Sequence, residues 1–295
     1  MKYLYYPGCS LEATAREYDV ATRAVMHALG AELIEIPDWT CCGATAAKAV
    51  DRRLALAMPA VSLALAETVD SAADILVPCS ACYLNLKKVH ETAATDSRTL
   101  AEINEILAGE SLHYSGKARP RHILDILSKD IGPVGILQQI THSLSGLQVA
   151  PYYGCQCLRP YRVFDDPEAP TAMDALLAAA GADLHPWSMA ARCCGASHMT
   201  TNAEVSKELV FRILKSASGA DAIATVCPMC QMNLEGYQGW ISSRYGEDVR
   251  IPVYYLPQLL GLAMGIPAGN LGLDARSVPA AAQTGQQLIR ESPGC

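Results

Sequence analysis

Short β-prone runs alternate with helical patterns along the first half of the chain. The runs at residues 3–6, 32–36 and 74–77 are each followed by a cysteine and then by apolar residues at helical spacing. The first helical pattern, residues 11–29, ends at Gly30, and glycine is a common residue just beyond helix ends. The alternation predicts repeated strand–helix units with a cysteine near the end of each strand.

The same order of segments occurs a second time in the second half of the chain. Each copy contains an aromatic run ending in GlyCys, a Gly-Ala-acidic-Leu run leading to CysCysGlyAla, and a run ending in CysxxCys. In the first half these segments lie at residues 3–9, 30–44 and 73–86, and in the second half at 150–155, 181–196 and 220–234. Three matches in the same order indicate a duplication.

The second half is therefore expected to repeat the pattern of the first, with strands near 147–153, 183–185 and 222–226. A fourth strand followed by a helix is predicted in each half, at 112–114 with 121–127 and at 253–255 with 257–264. Gly, Pro, Ser and Thr weaken the pattern between residues 132 and 146. We predict halves at residues 1–140 and 146–266, and an irregular arm or partner contact at 267–295.

Alternating strands and helices predict a parallel, right-handed sheet, whose ligands gather beyond the carboxyl ends of the strands. We expect an α/β fold of two pseudo-symmetric halves, each a small parallel sheet flanked by helices with cysteines at the strand ends. One expected set is Cys9, Cys41, Cys42, Cys79 and Cys82, and the other is Cys155, Cys193, Cys194, Cys227 and Cys230.

Charge and hydropathy exclude several classes of partner. The net charge is −7 with no run of Lys or Arg, which disfavours nucleic acid and anionic lipid. The most apolar stretch, residues 54–66, contains Pro59 and is shorter than the roughly 20 residues of a membrane helix, so we expect no direct membrane insertion. The first residues lack the pattern of a secretory signal, and we expect a cytoplasmic protein.

Twelve cysteines without an export signal predict metal ligation or redox chemistry rather than disulfides. Five cysteines per half exceed the four ligands of zinc, and adjacent residues such as Cys41 and Cys42 are poor ligands for one ion but can bind different irons of one cluster. A polynuclear iron–sulfur cluster in each half is the better hypothesis. Zinc in one half, or buried cysteines without metal, stays an alternative.

The spacings Cys-x31-CysCys-x36-CysxxCys and Cys-x37-CysCys-x32-CysxxCys resemble those of the CCG-domain proteins. Over about residues 1–266 the chain is similar to the B subunits of heterodisulfide reductases, including the related subunits of sulfur oxidisers. Four segments carry this likeness: Tyr5-Tyr6-Pro7-Gly8-Cys9-Ser10, Tyr152-Tyr153-Gly154-Cys155, Cys227-Pro228-Met229-Cys230-Gln231-Met232-Asn233-Leu234 and Gln258-Leu259-Leu260-Gly261-Leu262-Ala263.

The resemblance implies two non-cubane [4Fe–4S] clusters, one on each set of five cysteines, facing a shared cavity where a sulfur–sulfur bond is made or broken. It implies a catalytic role, exerted through the clusters, for Cys41, Cys42, Cys193 and Cys194. It also implies an iron–sulfur partner similar to the C subunits of these reductases, a flavin-containing partner similar to their A subunits, and a disulfide or lipoyl-bound sulfur as substrate. The alternative is a non-catalytic electron-transfer or metal-stabilised interaction module of a larger oxidoreductase.

A few residues near the motifs have open roles. Cys157 is expected to be a spectator thiol, and Cys295 an unligated thiol in the tail. His122 and His198 are each interpreted as structural, with a role near a cluster as the alternative. The tyrosines before Cys9 and Cys155 either line the cavity or pack in the core.

Overall fold

The computed structural model describes residues 1–71, 73–274 and 279. The strands are β1 (Lys2–Tyr5), β2 (Glu32–Glu35), β3 (Asp74–Val77), β4 (Arg119–His122), β5 (Gln148–Tyr152), β6 (Asp183–Leu184), β7 (Ala222–Thr225) and β8 (Val253–Tyr255). The helices are α1 (Cys9–Glu12), α2 (Arg16–Ala28), α3 (Ala46–Val50), α4 (Arg52–Asp70), α5 (Ser80–Thr95), α6 (Ser97–Leu107), α7 (Ile123–Ile126), α8 (Gly132–Leu137), α9 (Ala172–Ala179), α10 (Ala203–Ser216), α11 (Pro228–Gly236), α12 (Gln238–Tyr245) and α13 (Leu256–Ala263).

The described strands form two four-stranded parallel sheets with the same topology. Their orders are β2-β1-β3-β4 and β6-β5-β7-β8. Tyr5 pairs with Leu76 in the first sheet, and Pro151 pairs with Ala224 in the second. The predicted α/β class with two repeated halves is confirmed, whereas the domain boundaries at 140, 146 and 266 stay a prediction.

The fourth strand of the first half lies later in the chain than the sequence predicts. Residues 112–114 form no strand, because the Asn104 side chain bonds both backbone groups of Tyr114, at 2.8 and 3.0 Å. Strand β4 instead includes the first two residues of the helix predicted at 121–127, and α7 forms within the rest of that segment. The charged sequence Arg-Pro-Arg-His does not predict a strand. In the fold its charges are neutralised, because Arg119 and Arg121 both bind Asp74, at 2.7 and 3.0 Å.

Two other helix predictions need correction. The predicted helix at 11–29 is divided into the single turn α1 and the longer α2, and the weakly patterned join at 132–146 contains α8. Helix α4 continues through Pro59. Among the described helices, none combines the length and apolar character that crossing a bilayer requires.

The two halves are joined because helices of each half pack against helices of the other. Helix α13, which follows the last strand of the second half, packs against α2 of the first half. Reciprocally, α7 and the π-helical turn Leu127–Ile131, which follow β4, pack against α9 of the second half. One hydrophobic core therefore includes buried residues of both halves, such as Val25, Leu124 and Leu260.

The beginning of the predicted irregular arm is packed against the body of the protein. A 3-10 turn at Ala268–Leu271 contacts α2, and Leu271 is fully buried. Residues 275–278 and 280–295, including Cys295, lie outside the described residues. The irregular arm at 267–295 stays a prediction, and its first residues, 268–271, are packed against the body of the protein.

Candidate metal centres

The five motif cysteines of the first half lie where the carboxyl ends of three parallel strands meet. Cys9 begins α1 after β1, Cys41 and Cys42 follow β2, and Cys79 and Cys82 lie at the start of α5 after β3. The sulfurs of Cys42 and Cys82 are 3.3 Å apart, and those of Cys9 and Cys41 are 3.7 Å apart. The fold therefore brings the first predicted set together.

The second set is arranged in the same way. The sulfurs of Cys194 and Cys230 are 3.6 Å apart, and Cys155 interacts with Cys193. All five thiols line a cavity of about 30 Å³. Its wall is completed by Ser80, Tyr153, Gln156, Ala196, Ser197 and Met229. Because Ser80 belongs to the first half, this cavity reaches the boundary between the halves.

Each set extends from the surface to the interior. Cys9 and Cys193 are exposed, and Cys41 and Cys155 are partly buried. The other six motif thiols are buried: Cys42, Cys79, Cys82, Cys194, Cys227 and Cys230. A group held by all five sulfurs of one set would thus be reached from solvent on one side only. None of the cysteines in the described part of the chain forms a disulfide.

Buried tyrosines fix the turn that carries each CysCys pair. The Tyr6 hydroxyl donates to the carbonyl of Thr40, the residue before Cys41, at 2.6 Å. In the second half the Tyr152 hydroxyl donates to the carbonyl of Arg192, the residue before Cys193, also at 2.6 Å. These tyrosines are thus core residues that anchor the cysteine turns through their hydroxyls. Tyr153 is the aromatic residue of these runs that lines the cavity.

Two asparagines, to which the sequence pattern alone assigned no role, bind the same turns at the second cysteine of each CysCys pair. The Asn85 amide donates to the carbonyls of Cys42 and Ala44, at 3.1 and 2.8 Å. The Asn233 amide donates to the carbonyl of Cys194 at 2.7 Å. The signal that could have identified them is the shared sequence CysxxCysxxAsnLeu, which places the amide one helical turn after the second cysteine.

Glycine is required where the chain passes closest to the CysxxCys motifs. Gly8 and Gly154 both have positive φ, at 76° and 69°. A Cβ atom at Gly8 would lie 2.8 Å from the Cys82 sulfur, and one at Gly154 would lie 3.1 Å from the Cys230 sulfur. Any larger residue would push into the space that the thiols share.

Mutual contacts between the thiols lower the pKa of some of them. Interactions with the Cys41 and Cys82 thiols lower the pKa of Cys42 to about 3, with help from the backbone N–H of Ala44. Interaction with the Cys230 thiol lowers the pKa of Cys194 in the same way. The second thiol of each CysCys pair therefore favours the thiolate, the protonation state in which cysteine binds metals.

The two sets meet at the first cysteines of their CysxxCys motifs. Interaction with the Cys227 thiol is the largest cause of the raised pKa of Cys79, and interactions with the Cys230 thiol and then with the Cys79 thiol lower the pKa of Cys227. Beside this contact, Tyr18 of the first half stacks on Tyr255 of the second, with ring centroids 4.0 Å apart. The two cysteine sites are thus neighbours across one boundary, which we call the seam.

The remaining candidate residues have distinct positions. Cys157 is buried, burial raises its pKa to about 12, and its thiol donates to the Tyr153 carbonyl at 3.2 Å. His122 is fully buried at the seam. The Cys155 thiol is the main cause that lowers the pKa of Cys193 to about 6, and the exposed His198 is one of the smaller causes.

The donor chemistry suits thiophilic metal groups. Both sets consist of sulfur donors alone, the ligand type of zinc and of iron–sulfur clusters. Within residues 1–71, 73–274 and 279, no three Cys, His, Asp or Glu side chains converge as ligands of a single ion. The sulfurs instead form pairs distributed around each site, and five donors exceed the four that zinc binds.

Comparison with known proteins agrees with the repeated architecture. The model of a cysteine-rich domain family named CCG matches residues 3–87 and again 149–235. The two matches cover the three strand–cysteine units of each half.

Curated relatives match almost the whole chain. The membrane anchor subunit of 8-methylmenaquinol:fumarate reductase from Wolinella succinogenes is 34% identical, with 95% of this chain and 98% of that protein covered. The B subunit of the ferredoxin/F(420)H(2)-dependent CoB-CoM heterodisulfide reductase from Methanosarcina acetivorans is 30% identical, with 94% of each chain covered. A protein from Archaeoglobus profundus, named as similar to the B subunit of heterodisulfide reductase, is 31% identical, with 90% of this chain and 91% of that protein covered.

A solved structure shares the fold. The crystal structure of a hypothetical protein from Helicobacter pylori superimposes with a TM-score of 0.75 at 15% sequence identity. The match covers 93% of this chain and 51% of the Helicobacter chain, so the chain spans about half the length of that protein.

Proposed function

The chain belongs to the cysteine-rich CCG domain family, and from this premise we propose that it is the catalytic iron–sulfur subunit of a heterodisulfide reductase-like complex. In this proposal each set of five cysteines holds one non-cubane [4Fe–4S] cluster, and the two sites together make or break a sulfur–sulfur bond. Cys41, Cys42, Cys193 and Cys194 act through their clusters.

The observation that carries the proposal is the contact between the two sets. The Cys79 and Cys227 thiols are near enough to shift each other's pKa, and the cavity of the second set includes Ser80 of the first half. A sulfur–sulfur bond has two reacting atoms, and two adjacent sites can each receive one of them. A chain that only passed electrons between partners would have no need for two cysteine sites that lie next to each other.

The reaction balances with electrons from outside the chain. A disulfide R–S–S–R′ takes up two electrons and two protons, the sulfur–sulfur bond breaks, and two thiols leave. The clusters would supply the electrons one at a time, and the protein would position the sulfurs and exclude water. We propose an iron–sulfur partner similar to the C subunits of heterodisulfide reductases, a flavin-containing partner similar to their A subunits, a disulfide or lipoyl-bound sulfur as substrate, and a cytoplasmic location.

A second function is favoured by one relative. The Wolinella protein is named as the membrane anchor subunit of an 8-methylmenaquinol:fumarate reductase. A chain of that kind would carry electrons to a partner without acting on sulfur itself. The two functions differ in whether the reduced chain can transfer electrons to a disulfide without any partner.

The test uses the anaerobically purified chain. Iron and acid-labile sulfide are determined, the chain is reduced with titanium(III) citrate, and excess reductant is removed. CoB-CoM heterodisulfide or lipoamide is then added, and released thiols are counted against bleached visible absorption. We expect two thiols for every two electrons that leave the protein.

Three results would contradict the proposal. One is a chain that contains zinc at both sites and shows no visible absorption. Another is a reduced chain that transfers electrons to a quinone analogue but to neither sulfur compound, which supports the electron-transfer function. The third is the same thiol yield from a control chain whose cysteines have been alkylated.

A further inference from the structure

One small polar side chain of the first half reaches across the seam to the second CysxxCys motif. Ser80 lies between Cys79 and Cys82 in the sequence and is 2% exposed. Its hydroxyl donates to the carbonyl of Val226, the residue before Cys227, at 3.3 Å. Ser80 therefore connects the backbone of one cysteine site to that of the other.

The buried His122 holds this serine. Its Nε2 lies 3.2 Å from the Ser80 hydroxyl, and its Nδ1 accepts a hydrogen bond from the backbone N–H of Leu124 at 3.3 Å. Because Nδ1 is an acceptor, the tautomer assigned from these contacts has its proton on Nε2 and donates to Ser80. Burial lowers the pKa of His122 to about 4, which keeps the ring neutral near pH 7. His122 thus donates a hydrogen bond to the Ser80 hydroxyl, which in turn donates to the Val226 carbonyl.

The geometry indicates positioning rather than proton transfer. A relay through His122 would need a second proton position on Nδ1, but that nitrogen faces the backbone amide of Leu124. The ring is also fully buried and stacks parallel to Phe164 at 6.1 Å. His122 and Ser80 therefore form a rigid connection between the two cysteine sites, which we call the strut.

We propose that Ser80 and His122 are positioning residues that fix the distance between the two cysteine sites, so that both sites engage the two sulfurs of one substrate at once. This inference rests on the proposed function. A reaction at two adjacent sites depends on their separation, and a displacement on the order of 1 Å can cost about a hundredfold in rate.

The internal repeat strengthens the inference because the second half lacks this contact. The residue equivalent to Ser80 is Pro228, which has neither a hydroxyl nor a backbone N–H to donate. The Val226 carbonyl is bound from across the seam, whereas its equivalent, the Pro78 carbonyl, accepts the Tyr18 hydroxyl of its own half at 3.1 Å. Ser80 is therefore not part of the general cysteine scaffold that both copies share.

The experiment compares Ser80→Ala and His122→Phe with the unmodified chain. Phenylalanine keeps a ring against Phe164 but cannot donate to Ser80. Iron content, reduction by titanium(III) citrate and the spectral change on adding a single thiol, 2-mercaptoethanol, do not require the two sites to act together. Release of thiols from lipoamide or CoB-CoM heterodisulfide requires both sites.

We expect the one-site measurements to stay unchanged and the rate of thiol release to fall about 10- to 100-fold in both variants. The double variant should be no slower than Ser80→Ala, because the two residues act through one contact. Ser128→Ala is the matched control, since its hydroxyl donates at 3.2 Å to the Asp125 carbonyl of the same half. The inference would be overturned if Ser80→Ala and His122→Phe released thiols as fast as Ser128→Ala. It would also be overturned if iron content, reduction and thiol release all fell by the same factor in these variants.

Failure of this inference is distinguishable from failure of the proposed function. If the unmodified chain releases no thiols, the proposed function fails. The inference is then tested by a different measurement on the variants, namely whether reduction of one site changes the visible spectrum of the other site. Loss of that mutual effect in Ser80→Ala supports a strut between the sites, and its persistence contradicts one. If Ser80→Ala does not fold, His122→Phe alone provides the same comparison.

Discussion

The two halves of the protein are built alike around their cysteines and differently at the seam. In both, a tyrosine and an asparagine hold the CysCys turn, and a glycine passes beside the CysxxCys motif. At the seam, however, the first half ends its fourth strand in His122 and the second half in Tyr255. The shared features are those that a five-cysteine site requires, and the divergent ones lie where each half meets the other.

The two ring pairs across the seam also differ in contact. Tyr18 and Tyr255 stack at 4.0 Å with an interplanar angle of 1°, whereas His122 and Phe164 are 6.1 Å apart. The looser pair is the one that includes a hydrogen bond to Ser80. One side of the seam is therefore held by apolar stacking, and the other by a polar contact.

The largest expected effect tests whether the two sites are independent. Cys42→Ala and Cys194→Ala each remove the buried thiolate of one CysCys pair. We expect each variant to lose the metal group of its own half only, so that iron and sulfide fall to about half of the unmodified value. Cys157→Ala, at a buried cysteine outside the two sets, is the control and should keep full iron. Loss from both halves in either variant would show that the sites form one unit.

The next effect is a dependence of stability on pH that we expect from His122 on one side of the seam and not from Tyr255 on the other. Folding lowers the pKa of His122 from 6.5 to about 4, so the unfolded chain binds the proton more readily between these values. Stability from the neutral ring is complete above pH 6.5 and is lost as the pH falls, by about 1.4 kcal/mol per pH unit. Between pH 6.5 and 5 we expect a loss of about 2 kcal/mol that His122→Phe lacks, measured by urea unfolding.

The opposite side of the seam supplies the control for this measurement. Burial raises the pKa of Tyr255, so its hydroxyl stays protonated throughout that pH range. Tyr255→Phe should therefore show the same dependence on pH as the unmodified chain. An equal dependence in all three proteins would mean that His122 does not couple folding to pH.

The smallest effect compares the two asparagine anchors. Asn233 is 1% exposed and binds the Cys194 carbonyl and the Ser206 hydroxyl, whereas Asn85 is partly exposed. Asn233→Ala should lower the free energy of unfolding by about 2 kcal/mol and Asn85→Ala by about 1 kcal/mol, because water can replace the lost partner only at the exposed site. Thermal unfolding measures both.

A control for the asparagine comparison lies away from the cysteines. Asn104 also makes two hydrogen bonds to backbone groups, both at Tyr114. Asn104→Ala should reduce stability without changing the visible spectrum, whereas the other two variants should alter it. A spectrum unchanged in Asn233→Ala would show that the amide does not hold the CysCys turn.

The repeated motif predicted most of the cysteine site because its information is local. A strand, a cysteine and a following helix are adjacent in sequence, and parallel strands place their carboxyl ends together. That reasoning located both sets of five. It misplaced the fourth strand of the first half, because Arg119 and Arg121 suit a sheet edge only when Asp74 of the neighbouring strand neutralises them.

The sequence by itself determined the duplication, the α/β class and the grouping of ten cysteines into two sets. Only the tertiary structure decided which side chains face each other across the seam. The contacts of Ser80 with Val226 and of Tyr18 with Tyr255 join positions far apart in the chain. Such partners are chosen by the packing of helices onto the other half, and no periodic pattern along the chain records that packing.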